Sequence, residues 1–151
     1  MFTNTKDEIK VLQFELLKDI KKIRHGVLCR KGGVSTFPYN SLNLNLEPCN
    51  NTQDILQNFE KIKQSFHLKD PVLAKQVHQD SINCITPQNR FENFVCDGFI
   101  TSHPNIPVLI KHADCQATLF YDPIKNVIAN VHCGWKGNVI NIYKKSSNVR
   151  S

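Results

Sequence analysis

Gln116-Ala117-Thr118-Leu119-Phe120-Tyr121, then Asp122-Pro123-Ile124-Lys125-Asn126, then Val127-Ile128-Ala129-Asn130-Val131-His132 is the stretch on which the fold turns. The two flanking runs are rich in β-branched and aromatic residues, and the residues between them include Asp, Pro and Asn, each suited to a reversal of chain direction. The segment reads as a β-hairpin with a five-residue connection. Strand parity sends Val127, Ala129 and Val131 to one face and Ile128, Asn130 and His132 to the other. His132 is then the last strand residue before Cys133-Gly134-Trp135-Lys136-Gly137, a glycine-bounded turn. A helix is expected from about Asn138, with Val139, Ile142 and Tyr143 on one face.

Outward from the hairpin, short apolar runs at 72–77, 81–85, 94–101 and 108–112 are punctuated by Pro87, Gly98, Pro104 and Pro107. Strands at that spacing predict a largely β central section. Upstream, Ile55, Phe59, Ile62 and Phe66 recur at helical spacing, with Leu56 added to the stripe and Asn51 or Thr52 placed as cap. An amphipathic helix is expected over 53–67, and its stripe belongs to a core. Residues 11–17 and 26–30 read as two more strands. Between them and the helix, residues 32–45 hold two adjacent glycines, Pro38, Ser35, Asn40, Ser41 and Asn43, a composition that favours turns and exposed backbone donors. This is a candidate binding loop. No internal repeat or linker is visible, so 1–151 reads as a single domain.

The chain carries 19 Lys+Arg against 13 Asp+Glu, a formal charge of +6, and 40% of its residues are hydrophobic. A chain of this size buries roughly two thirds of its unfolded surface, and 21% charged residues with nine Phe exclude wholesale disorder. No stretch approaches the ~18 consecutive apolar residues of a spanning helix, and the N-terminal region lacks an apolar signal core. A soluble, cytoplasmic protein with no membrane partner is expected. The lysines are scattered and do not interleave with aromatics, which points to a solvated basic surface and a modest attraction for anionic small substrates, not to nucleic acid. Without an export signal, Cys29, Cys49, Cys84, Cys96, Cys115 and Cys133 are expected as free thiols, metal ligands or a nucleophile.

His78 follows one strand-like run, Cys115 sits in the break between two, and His132 ends a third. Strand ends are where a rigid scaffold aims side chains into a shared cleft. Their separations are far too long for a zinc finger or ribbon, whose ligands come in close-spaced pairs. Three ligands from separate segments with a fourth position left open is the arrangement of catalytic zinc, and copper accepts the same soft donors. The glycines around Trp135 and Lys136 let backbone N–H groups converge on an anion, with Lys136 adding a point charge. A plain strand-to-helix turn with a packed Trp is the alternative.

Four segments in order are similar to the motifs of one family: Arg30-Lys31-Gly32-Gly33-Val34-Ser35 with Tyr39-Asn40-Ser41-Leu42-Asn43-Leu44, then Lys75-Gln76-Val77-His78, then Asp97-Gly98 through Ala113-Asp114-Cys115, then residues 132–137. The chain resembles the laccase-like polyphenol oxidoreductases now described as purine nucleoside phosphorylases. The resemblance implies an α+β fold of mixed sheets with helices packed in layers, incomplete at the C-terminus, so that 1–151 is a partial domain. It implies zinc held by His78, Cys115 and His132. It also implies phosphorolysis of adenosine, inosine and methylthioadenosine to a base and ribose 1-phosphate, with hydrolytic deamination of adenosine. Purine nucleosides and phosphate are then the partners. Arg30, the Gly32-Gly33 turn and Lys136 are candidates for phosphate, Asn43 for the ribose or for holding its loop, and Asp114 for orienting a ligand, binding substrate or capping a turn.

The sequence departs from the family pattern at Lys136, where Arg is usual, at Ala117, where Pro is usual, and at its end, where family members continue. Two other readings follow. Cys115 as a nucleophile activated by His78 or His132, with Asp114 as orienter, describes a cysteine hydrolase. A shortened, inactive remnant or interaction protein is the other, with Val139, Ile142 and Tyr143 partly exposed.

Overall fold

The computed structural model describes residues 2–6, 8–46 and 51–148, so Cys49 lies outside the described residues. They fall into two compact units, Met1–Leu68 and Lys69–Ser151. The fold is mixed α/β, with several small sheets and few helices.

In the first unit β1 (Phe2–Lys6), β2 (Ile9–Gln13) and β3 (Val27–Leu28) form an antiparallel sheet in that order. The strand expected over 11–17 starts and ends earlier, because the chain reverses at Phe14, whose carbonyl accepts from the N–H groups of Leu17 and Lys18. The Phe14 N–H is taken by His25 Nε2 at 2.9 Å instead of a ladder partner. β1, in the polar run Phe-Thr-Asn-Thr-Lys, had no apolar signature to announce it. α1 (Thr52–Phe66) begins with Asn51, whose side chain accepts from Gln53 and Asp54, and ends at His67 in the left-handed region. It lies one residue from its expected bounds. Ile9, Val11, Leu42 and Ile62 form the core, with Leu28, Leu44, Phe66 and Leu68 against it.

Residues 32–45 adopt no regular element, as expected, but the backbone donors of the glycine turn are taken within the unit. Gly32 and Gly33 N–H both bond to Ser41 Oγ at 3.1 Å, and Val34 N–H bonds to Asn58 Oδ1 at 2.8 Å. Gly33 is a close-approach position: a Cβ there would lie 2.2 Å from the Ser41 carbonyl oxygen and 2.6 Å from Leu42 Cα.

The second unit holds two sheets. β4 (Ala74–Lys75) pairs parallel with β6 (Phe94–Val95). β5 (Ile82–Cys84), β7 (Gly98–Thr101), β9 (Val127–Cys133) and β8 (Gln116–Asp122) form a four-stranded sheet in that order. The β8–β9 hairpin is antiparallel from Gln116↔Cys133 to Asp122↔Val127. Asp122 Oδ1 accepts from Ile124 and Lys125 N–H, and Asn126 takes a left-handed φ of 53°, so Asp and Asn act in the turn as their side chains dictate. β7 is buried on both faces. Phe99 enters a core with Val72, Ala74, Ile85, Phe94, Cys96, Ile106 and Ile110, whereas Ile100 enters another with Ala129, Val131, Cys133 and Ile142.

The run 94–101 is not one strand, because Cys96 N–H goes to Lys75 O and Asp97 N–H to Ser81 O, so the chain changes sheets there. The strand expected over 108–112 is reduced to a bridge between Val72 and Val108. Beyond that bridge the Gln76 amide replaces a strand: Nε2 donates to Lys111 O at 2.7 Å and Oε1 accepts from Lys111 N–H at 2.8 Å.

The expected terminal helix is two pieces, α2 (Trp135–Val139) and α3 (Ile142–Asn148), divided at Asn141 with a φ of 53°. That left-handed residue swings Ile142 inward. Val139 is exposed as expected, but Ile142 is fully buried, which corrects the expected exposure. Trp135 is also exposed, 74% of its surface lying open, so it is not a packing residue. No helix among the described residues is long and apolar enough to cross a membrane.

Candidate metal centre

Three of the predicted residues come together. One ligand atom each from His78, Cys115 and His132 lies within 4.8 Å of the others. The two imidazoles meet edge to face, with centroids 4.6 Å apart. His132 is buried at the end of β9, Cys115 half-buried just before β8, and His78 exposed in the turn after β4.

Each is placed by local chemistry. His78 has a φ of 58°, a region that disfavours residues with a Cβ. The N–H groups of His78 and Gln79 converge on the Asp97 carboxylate at 2.9 and 2.8 Å, with Val77 N–H at 3.4 Å. His132 is held twice by the same residue, through its N–H to Asp97 O at 2.7 Å and through Nδ1 against Asp97 Oδ1 at 2.9 Å. Gly134 lets the backbone pass close by, since a Cβ would sit 3.3 Å from Cys115 Sγ and 3.4 Å from His78 Cδ2.

The donors suit a metal. Two imidazoles and a thiolate match zinc or copper, and a histidine ligand whose other nitrogen meets a carboxylate is the usual supporting arrangement. Burial, then the charge and hydrogen bond of Asp114, push the Cys115 thiol up, so a cation is what favours its thiolate. Desolvation and then the field of His132 hold His112 below the ordinary imidazole range.

The remaining predicted residues are spread out. Arg30 and Asn43 belong to the first unit. Arg30 Nε and an Nη donate to Asn40 O at 3.0 and 2.7 Å, and Asn43 Oδ1 accepts from Asn45 N–H at 3.1 Å. Asp114 is exposed beside the Cys115 thiol. Lys136 is exposed in α2 with its Nζ 5.7 Å from the Trp135 ring centre. Cys133 is buried in the core beside Ile142. Sequence reasoning gave Asp97 no role. The available signal was a charged residue inside the apolar run Phe94-Val95-Cys96-Asp97-Gly98-Phe99-Ile100, a place where Asp is almost never buried without partners.

A mixed α/β unit with a His-Cys-His centre at its strand ends is the class defined by these features. The family model of the multi-copper polyphenol oxidoreductase laccase matches residues 24–149, and the chain belongs to that family. It is 32% identical over 129 residues to the purine nucleoside phosphorylase YlmD of Bacillus subtilis, covering 79% of this chain and 46% of the relative. It is 39% identical over 108 residues to a purine nucleoside phosphorylase of Clostridium acetobutylicum, covering 71% and 43%. Among solved structures, the hypothetical protein YfiH of Bacillus licheniformis superposes with a TM-score of 0.75 at 30% identity, covering 80% of this chain and 49% of that one. The chain spans about half the length of the curated relatives it matches.

Proposed function

We propose that the chain provides a zinc centre for phosphate-dependent cleavage of purine nucleosides in the cytoplasm, releasing the base from adenosine, inosine or methylthioadenosine and leaving ribose 1-phosphate. Hydrolytic deamination of adenosine is a side activity of the same centre. The observation that carries this reading is the convergence of His78, Cys115 and His132 with Asp97 behind one imidazole, in a chain whose relatives are named purine nucleoside phosphorylases. Zinc is favoured over copper because three protein ligands of this kind, with one position open, are its catalytic pattern. When bound there it supplies Lewis-acid chemistry.

The chain's own residues do the rest. Asp114 offers a carboxylate at the exposed side of the thiol, where a substrate hydroxyl or amine would donate. Lys136, in the same unit as the three ligands, carries the charge for phosphate; in the first unit Arg30 is the other candidate, its guanidinium donating to the Asn40 carbonyl while the Gly32 and Gly33 donors are used by Ser41. Asn43 is the candidate for the ribose or the holder of its own loop, and its bond with Asn45 N–H supports the second role. A cysteine hydrolase is less well supported, since Cys115 is pushed away from its thiolate and the carboxylate on His132 is Asp97, not Asp114.

Protein purified without added metal is expected to hold about one zinc per chain, lost in His78→Ala, Cys115→Ala and His132→Ala and kept in Cys29→Ala and Cys84→Ala. Adenosine and inosine should release base only when phosphate is present. Copper in place of zinc would change the metal, equal metal in all five variants would sink the ligand set, and base release without phosphate would point to a hydrolase. Zinc without any cleavage would favour the interaction-protein reading.

A further inference from the structure

We infer that Asp97 is the positioning residue of this centre, one carboxylate oxygen joining the side chain of His132 to the backbone of His78. This rests on the metal reading above and goes beyond it by assigning what sets the ligands in place. Asp97 has no exposed surface, and a buried carboxylate is tolerated only when its oxygens are occupied by donors. No Lys or Arg ion pair reaches it among the described residues; its ion-pair partner is His132, and its other donors are N–H groups of the His78 turn.

The division between the two oxygens is informative. Oδ1 takes both the His78 N–H and His132 Nδ1 at 2.9 Å, while Oδ2 takes the Gln79 N–H at 2.8 Å. A carboxylate only accepts, so Nδ1 of His132 carries the proton and Nε2 is left with its lone pair for a metal. The same anion gathers the consecutive N–H groups that hold His78 in its left-handed conformation. Two ligands from distant segments are therefore registered against one atom before any metal arrives. An amide cannot replace it, because the NH2 group of Asn would face a donor on one side or the other.

Zinc affinity of the wild type, Asp97→Asn and Asp97→Ala, measured by competition with a chromophoric chelator, is expected to fall about 10- to 100-fold in both variants. Their secondary structure is checked by circular dichroism. Cobalt substitution should show an altered ligand-field spectrum, which a merely structural role would leave unchanged. In metal-free wild-type protein, ring 15N shifts of His132 above the imidazole titration range are expected to report a single Nδ1–H tautomer. A folded Asp97→Asn with wild-type affinity and spectrum overturns the inference. So does an Nε2–H tautomer in the wild type, which decides the matter even if the variants fail to fold. If the wild type binds no metal, the metal reading fails, and the tautomer measurement still tests Asp97 alone.

Discussion

Asn58 lies in the middle of α1 with no exposed surface. Its Oδ1 accepts from Val34, and its Nδ2 donates to Ser35 Oγ and to the carbonyls of Ser41 and Asn43 at 2.9, 3.2 and 2.8 Å. One helix residue thus supplies the pairing that residues 32–45 do not get from a sheet. Asn58→Ala leaves several of these groups buried and unpaired, so a loss of about 2–3 kcal/mol is expected, read by urea denaturation as a lowered midpoint with an unchanged slope. Gly33→Ala puts a methyl against backbone atoms that cannot step aside and should cost about 1–3 kcal/mol in the same assay. A Gly33→Ala chain as stable as the wild type would show that the loop relaxes. His78, Cys115 and His132 were legible because their positions at strand ends and the matched motifs named them. Asn58 was not, and Asp97 was named in a matched motif but without a role, since an Asn in a helical stripe and an Asp in an apolar run reveal their partners only when distant segments fold together.

At the level of elements, the hairpin and α1 were readable because their signals are local: alternation, a capping Asn, Asp and Asn in the turn. The splitting of 94–101 and the loss of a strand at 108–112 were not, because both depend on side-chain groups taking over backbone pairing. The segment between β2 and β3 offers a titration test. His25 Nε2 accepts from Phe14 N–H, a bond open only to the neutral ring, and desolvation holds the imidazole below its ordinary range. The unfolded chain therefore takes up this proton more readily than the folded one. The contribution is intact above about pH 6.5 and is lost as pH falls through the imidazole range toward the lower folded value. His25→Gln, whose side-chain oxygen accepts without titrating, should flatten that part of the stability profile; an unchanged profile would remove His25 from the account. At the other end of the chain, Ile142→Ala should cost about 2–5 kcal/mol, a loss that an exposed residue would not produce.

For the whole molecule, chelation is the informative perturbation. A metal that binds the folded chain alone adds about 2.7 kcal/mol at a free concentration 100 times its dissociation constant, so the melting temperature should rise with added zinc and fall with a chelator. The same titration on His132→Ala should leave it flat. A wild-type melting temperature indifferent to both would mean that no ion is held in the folded state. The geometry of the three ligands gives this dependence a particular form. They come from three places along the second unit, so one ion held by all three would close the chain between 78 and 115 and again between 115 and 132. Because such an ion leaves when the unit unfolds, it acts by mass action on the folded state and not, as a permanent cross-link does, on the unfolded chain. Unlike a disulfide, such a double clasp would open without reduction and re-form without an oxidant, and the free level of one ion would then set how tightly the unit is fastened.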